Sequence, residues 1–328
     1  MKTGAAVLTV PGNLLLLGEY AVLEPGGLGI AVAIERRVAL TVEAARELTV
    51  IDANGRVATW KGADLGPPSL VGATIEAVER ELASWGRGGG TPSLCLRVDS
   101  SALFGTDGKK VGLGSSAAVA VGIAFALLCD AGLEGAGLEA STLRAALDGH
   151  RSYQGGRGSG YDVAASLYGG IGLFVGGGKP SFERLDLSWM PPFSLVRGPA
   201  SVDTASAIRS YEEWKRQSPA APKRFLAASN EAVRGFATAG NWGEASARLL
   251  EGAGLSVRLG ESIGVPARLE SLGGRIESMG GPLEGYEGRV AKALGAGDEL
   301  VALWQDAAWP LEASERIEIA RSGPSWNE

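Results

Sequence analysis

The chain is poor in the residues that build metal centres and disulfide frameworks. His150 is the only histidine among 328 residues, which excludes a histidine-rich metal site. Cys95 and Cys129 are the only cysteines, far apart and in no metal-type spacing. They read as buried free thiols, as expected of a protein in a reducing cytoplasm. A basic excess is missing too: 31 Lys and Arg stand against 37 Asp and Glu, a formal net charge of −6. That argues against a general nucleic-acid binder. It leaves room for an anionic small molecule, because a local basic cluster works against an acidic background. Long hydrophobic runs are also absent. The longest, Ala117 to Cys129, falls short of the roughly 18 residues a membrane span needs and reads as a buried helix. Pro11 and Gly12 interrupt the apolar N-terminus and no cleavage site follows, so no secretory signal is expected.

Glycine is abundant: 50 residues, without the G-X-Y period of collagen. A hydrophobic share of 45% with 21% charged residues is enough to bury a core. The length suits one large or two medium domains. Residues 5–10 (AAVLTV) read as a strand, ended by a Pro11-Gly12 turn. Residues 28–44 alternate as strands around Arg36 and Arg37, and 48–60 as a hairpin turning at Asn54-Gly55. Val71, Ile75, Val78 and Leu82 share one face of a helix over 69–85, with Ser69 as its cap. A short strand, SLCLRVDS (93–100), precedes an apolar helix that ends near Leu128, and a further helix covers about 140–153. QGGRGSGYD (154–162) is a glycine-rich loop, VAASLYGG a short helix, and 169–178 strand and turn. A Gly- and Pro-rich change near 176–192 marks the expected domain boundary, giving 1–178 and 179–328. Helices are expected near 203–216, 222–239, 242–259 and 266–279, and a last strand at Leu300–Trp304. The fold class is α+β.

The stretch KKVGLGSSAAVAVG (109–122) carries the chemistry. A helix N-terminus leaves about four amide groups unpaired, with partial positive charge from the helix dipole. Anions bind there. Gly112, Leu113 and Gly114 let the backbone approach a ligand closely. Ser115 and Ser116 add hydroxyls for phosphate oxygen or hydrated Mg²⁺, Ala117 opens the buried run, and Lys109 and Lys110 add mobile positive charge. The ligand these residues suit is a polyphosphate, ATP with Mg²⁺. GGGKP (176–180) fails as a Walker A loop because Pro180 follows the lysine. No protein-kinase motif set is present.

PGNLLLLGEYAVL near the start, KKVGLGSSAAVAVG in the middle and GSGYDVAASLYGG after it resemble the signature segments of the GHMP kinases, in the family's order. A late GAG (295–297) resembles their third motif. GEYAVLEPG (18–26), the paired lysines of GKKVGLGSSAAV, and HRSYQGGRGSGYDVAASLYGG (150–170) are most similar to the phosphomevalonate kinase branch. SVDTASAIRSYEEWK (201–215) is similar to that branch's Ser/Thr-rich segment. The resemblance implies a ribosomal-S5-like N-terminal half and a ferredoxin-like C-terminal half, with the active site between them. It implies ATP-dependent phosphorylation of 5-phosphomevalonate to 5-diphosphomevalonate, in the mevalonate route to isoprenoids, by a cytoplasmic monomer or homodimer. A kinase for mevalonate or another small alcohol, and a nucleotide-binding protein that has lost transfer, stay open as alternatives.

By the same resemblance Asp162 orients or deprotonates the acceptor, and Lys110 offsets charge during transfer. Lys109, Gly112, Leu113, Gly114, Ser115, Ser116 and Ala117 hold the nucleotide, with Ser115 and Ser116 on the metal. Asn13, Glu19, Tyr20, Ser159, Gly160, Ala296 and Gly297 bind the acceptor. Arg151 and Arg157 are further phosphate candidates; Ser201, Asp203, Thr204 and Ser206 sit where the family contacts substrate; His150 reads as structural. Two departures stand out. Asn13 replaces the lysine usual in this branch, and an amide supplies no charge. The third motif is shortened to LGAGDELVAL (294–303), which makes a tighter loop.

Overall fold

The computed structural model describes residues 5–52, 57–59, 69–87, 93–105, 108, 111–197, 203–265, 267, 290–297, 299–304 and 315–327. The chain divides into two units. Unit 1 comprises Met1–Asn13, Ala33–Gly170 and Ala320–Glu328; unit 2 comprises Leu14–Val32 and Ile171–Ile319.

In unit 1 the strands follow the order β12-β1-β2-β5-β3-β4. Their ranges are β1 Ala6–Leu17, β2 Leu28–Ala44, β3 Thr49–Asp52, β4 Val57–Thr59, β5 Leu94–Asp99 and β12 Ser325–Asn327. Period-two alternation places Val38, Leu40 and Val42 in the core while Ala39, Thr41 and Glu43 are partly exposed. β2 and β5 pair antiparallel, with Ala39 opposite Asp99 and Ala44 opposite Leu94. The hairpin expected over 48–60 is the antiparallel β3–β4 pair; its Asn54-Gly55 turn lies outside the described residues. The Pro11-Gly12 turn does not form: β1 runs straight through it. A close approach explains the glycine. A Cβ on Gly12 would meet the Leu113 carbonyl oxygen and Leu103 Cδ2, each at 2.7 Å.

Among the described residues the α-helices of this unit are α1 Leu70–Ser84, α2 Ser115–Asp130, α3 Gly135–Tyr153 and α4 Tyr161–Tyr168. Ser69 caps α1, accepting from the Gly72 amide at 3.0 Å; such a cap stabilises by roughly 1 kcal/mol. α2 packs against α1, α3 and α4 and is buried on almost every side, which its uniformly apolar sequence requires. Gly122 is small for a reason, since a Cβ there would lie 2.6 Å from Leu40 Cδ1. α3 begins five residues before the expected 140, at Gly135.

Unit 2 carries β6 Ile171–Val175 and β7 Ser181–Leu185. Residues 28–32 of β2 pair with β6, and β6 with β7. A second sheet has the order β11-β8-β10-β9, all antiparallel, from β8 Phe193–Arg197, β9 Val290–Leu294, β10 Leu300–Trp304 and β11 Glu315–Ile317. Helices α5 Thr204–Gln217, α6 Ala221–Ala237 and α7 Trp242–Ile263 also belong to it, with α7 packed on α5, α6 and β9. The helix expected near 266–279 lies outside the described residues, apart from position 267. Among the described residues no helix is long and apolar enough to cross a membrane.

Candidate active site

α2 starts where the sequence places an anion site. Gly112 and Gly114 both have φ of 73°, in the left-handed region that favours glycine. The first backbone bond of the turn runs from the Ala118 amide to the Gly114 carbonyl at 3.1 Å. Among the described residues no side chain caps the helix, which leaves the amides of Ser115, Ser116 and Ala117 ahead of that bond to face an external acceptor. Ser115 and Ser116 are both partly exposed. Lys109 and Lys110 lie outside the described residues.

Asn13 is the contact that shapes this loop. It is 1% exposed. Its amide nitrogen donates to Ser166 Oγ at 3.0 Å and to the Gly114 carbonyl at 3.5 Å. Ser166 Oγ in turn donates to the Pro11 carbonyl at 2.8 Å, and the Asn13 amide donates to the Leu113 carbonyl at 3.0 Å. Asn13 packs so tightly on Gly114 that a Cβ there would fall 2.0 Å from Asn13 Nδ2. The side chain thus joins β1, the loop before α2 and α4 by uncharged hydrogen bonds.

α4 follows a second left-handed glycine, Gly160, with φ of 89°. Asp162 is in its first turn, where the helix dipole favours negative charge. Its Oδ1 accepts from the Val163 amide at 2.9 Å. Its Oδ2 lies 3.7 Å from His150 Nδ1, and His150 Nε2 is 3.1 Å from Ser116 Oγ. His150 is 2% exposed. The sequence reading gave this imidazole no more than a structural place, yet it stands between the aspartate and a serine of the anion loop. With its proton on Nδ1, Nε2 accepts from Ser116, leaving the serine oxygen's lone pairs for a ligand. Arg151 points its guanidinium at the glycine-rich loop, donating to the carbonyls of Gly158 and Ser159 at 3.2 and 2.9 Å. Ser159 is buried and Arg157 exposed.

Unit 2 gathers other expected residues. Glu19 is 5% exposed and paired with Lys292, which is fully buried on β9. Lys292 also donates to the Ala293 carbonyl at 3.0 Å, and Ser256 Oγ donates to Glu19 Oε2 at 3.5 Å. Burial pushes the Glu19 carboxyl up, against the pull of the Lys292 ammonium. A small pocket beside Glu19 is lined by Gly18, Ser229, Gly252, Leu255 and Ser256 among others. Tyr20 donates its hydroxyl to the Ala296 carbonyl at 2.6 Å. Gly297 follows in the same loop and is buried. Asp203 caps α5, accepting from the amides of Ala205 and Ser206 at 3.2 Å each; Thr204 opens that helix and Ser201 lies outside the described residues. Lys292 went unread in the sequence, although a lone charge inside the apolar run VAKAL was a signal for a buried partner.

Residues 69–170 match the family model "GHMP kinases N terminal domain". A curated relative, "Phosphomevalonate kinase" from Streptomyces sp. (strain CL190), is 29% identical over 306 residues, covering 76% of this chain and 77% of its own length. The chain is thus similar to the GHMP kinases, over residues 69–170 by the family model and over most of its length by this relative. Solved structures agree on the GHMP kinase fold. A Lin0012 protein from Listeria innocua matches with TM-score 0.83 at 20% identity, over 99% of this chain and all of that one. Streptococcus pneumoniae phosphomevalonate kinase, solved with phosphomevalonate and AMPPNP, matches with TM-score 0.72 at 20% identity, over 94% and 99% of the two chains.

Proposed function

We propose that this protein transfers the γ-phosphoryl group of ATP to 5-phosphomevalonate, giving 5-diphosphomevalonate and ADP. The observation that carries this reading is the pairing, inside unit 1, of an uncapped helix mouth with a carboxylate. The amides at Ser115–Ala117 open the helix whose Ser116 hydroxyl lies 3.1 Å from His150 Nε2, and the carboxylate of Asp162 lies 3.7 Å from Nδ1 of the same imidazole. The 29% identical Streptomyces relative supports the choice of acceptor.

The amides and the α2 dipole suit the triphosphate, and the left-handed backbone at Gly112 and Gly114 sets the turn that presents them. The donor set also fits Mg²⁺: two hydroxyls, Ser115 and Ser116, the latter 3.1 Å from His150 Nε2. Mg²⁺ would supply charge compensation on the phosphates. In the transfer the acceptor's phosphate oxygen forms a bond to the γ-phosphorus while the bond to the β–γ bridging oxygen breaks, and ADP leaves. That acceptor oxygen is already anionic near neutral pH, so no proton has to be removed. Asp162 then acts by orienting the acceptor, held in place by the Val163 amide and His150. Asn13 supplies no charge, so the electrostatic work of the missing lysine falls to the Lys109–Lys110 pair. ADP release measured across an acceptor panel tests the reading. Turnover is expected with 5-phosphomevalonate and far less with mevalonate. The opposite preference would replace this acceptor with an unphosphorylated alcohol, and nucleotide binding without any transfer would make the chain a binding protein.

A further inference from the structure

Tyr20 is the one non-glycine residue with positive φ among the described residues, at φ 61° and ψ −38°. A bulky side chain in such a conformation costs on the order of 1–3 kcal/mol and persists only where its surroundings over-determine it. Those surroundings are visible. The ring is 9% exposed and packs with Ala207, Tyr211, Leu259 and Ile263. Its centroid lies 5.2 Å from that of Tyr211. Burial, and secondarily the Glu19 carboxylate, raises the phenol above its ordinary value, so the hydroxyl keeps its proton. It donates that proton to the Ala296 carbonyl at 2.6 Å.

Glu19, the preceding residue, pairs with Lys292 on β9. Leu294 stands opposite Leu300 in the β9–β10 pair, so residues 295–297 leave β9 in the connection between the strands. Two adjacent side chains therefore hold one hairpin at two points, Glu19 on its strand and Tyr20 on its loop. Gly295 opens the loop at φ 79°.

We propose that Tyr20 is a positioning residue: its hydroxyl and its strained backbone latch the 295–297 loop in one shape, and acceptor binding depends on that shape. This rests on the reading above, in which Ala296 and Gly297 contact the acceptor. A tyrosine whose hydroxyl is committed to a loop carbonyl acts through the loop rather than on the substrate directly.

The test is Tyr20→Phe, which keeps the ring stack and deletes the latch. Loss of one such hydrogen bond corresponds to a roughly 5-fold effect. The expected result is a rise of about that size in the acceptor KM, with the ATP KM unchanged, and similarly faster amide exchange at Ala296 and Gly297 by NMR with α5 unaffected. Unchanged exchange at those two amides would overturn the latch. Equal rises in both KM values with a lowered Tm would also overturn it, because the role would then be structural. A wild-type protein that transfers nothing to 5-phosphomevalonate would sink the functional reading alone; the exchange measurement needs no acceptor and would still decide the latch.

Discussion

The segment from Pro11 to Tyr20 is anchored twice, in two chemically opposite ways. In unit 1 Asn13 is fixed by neutral hydrogen bonds to Ser166 and Gly114. In unit 2 Glu19 is fixed by a buried ion pair with Lys292. The neutral anchor has little desolvation to overcome and is satisfied locally. The charged anchor takes two ions out of water and holds only while both are present. An uncharged residue at position 13 keeps the loop before α2 in shape without adding a charge beside the start of that helix. A charged pair at 19 and 292 ties the chain to β9 strongly but leaves that tie sensitive to either partner.

The largest effect should come from breaking the charged anchor. Lys292→Met leaves a buried carboxylate unpaired and should cost about 3–5 kcal/mol of unfolding free energy. The Glu19 carboxyl is already raised by burial, and losing Lys292 raises it further. A carboxyl raised in the folded state stabilises when protonated, and that contribution is lost as pH rises through its folded value. The penalty in Lys292→Met should therefore be smaller near pH 4 than at pH 7 in denaturant titrations. A penalty independent of pH would mean that Glu19 is not the group left unpaired.

Next comes Asn13→Asp, which brings an unpaired charge into the neutral site. It should cost more than Asn13→Ala, for which the loss of the bond to Ser166 predicts about 1–3 kcal/mol. If aspartate were tolerated better than alanine, the two anchors would not differ in the way described. Thermal melts of the two variants decide it.

Much of unit 1 was legible because its signals are local. Alternation over Val38, Leu40 and Val42, the Ser69 cap, and the glycines before Ser115 each depend on a few neighbouring residues. The carboxylate of Asp162 at a helix start could be read the same way. The Asn13–Ser166 bond spans 153 positions and the Lys292–Glu19 pair 273; the lysine inside VAKAL signals a buried partner, but no short-range pattern says which residue that partner is. The strands β8 and β9 were missed for a related reason. FSLVR is a short apolar run whose partner, β10, lies far along the chain, and VAKAL is a short run broken by a lysine, so neither shows a clear period. The Pro11-Gly12 turn was misread because proline and glycine usually punctuate, whereas here Gly12 makes room for Leu113.

Single-turnover transfer from ATP to 5-phosphomevalonate, compared between the wild-type protein and Asp162→Asn at saturating nucleotide, tests the central claim most directly. A rate lower by roughly 10²-fold in the variant, with nucleotide affinity unchanged, is the predicted result. A variant that transfers phosphate at the wild-type rate would contradict the account.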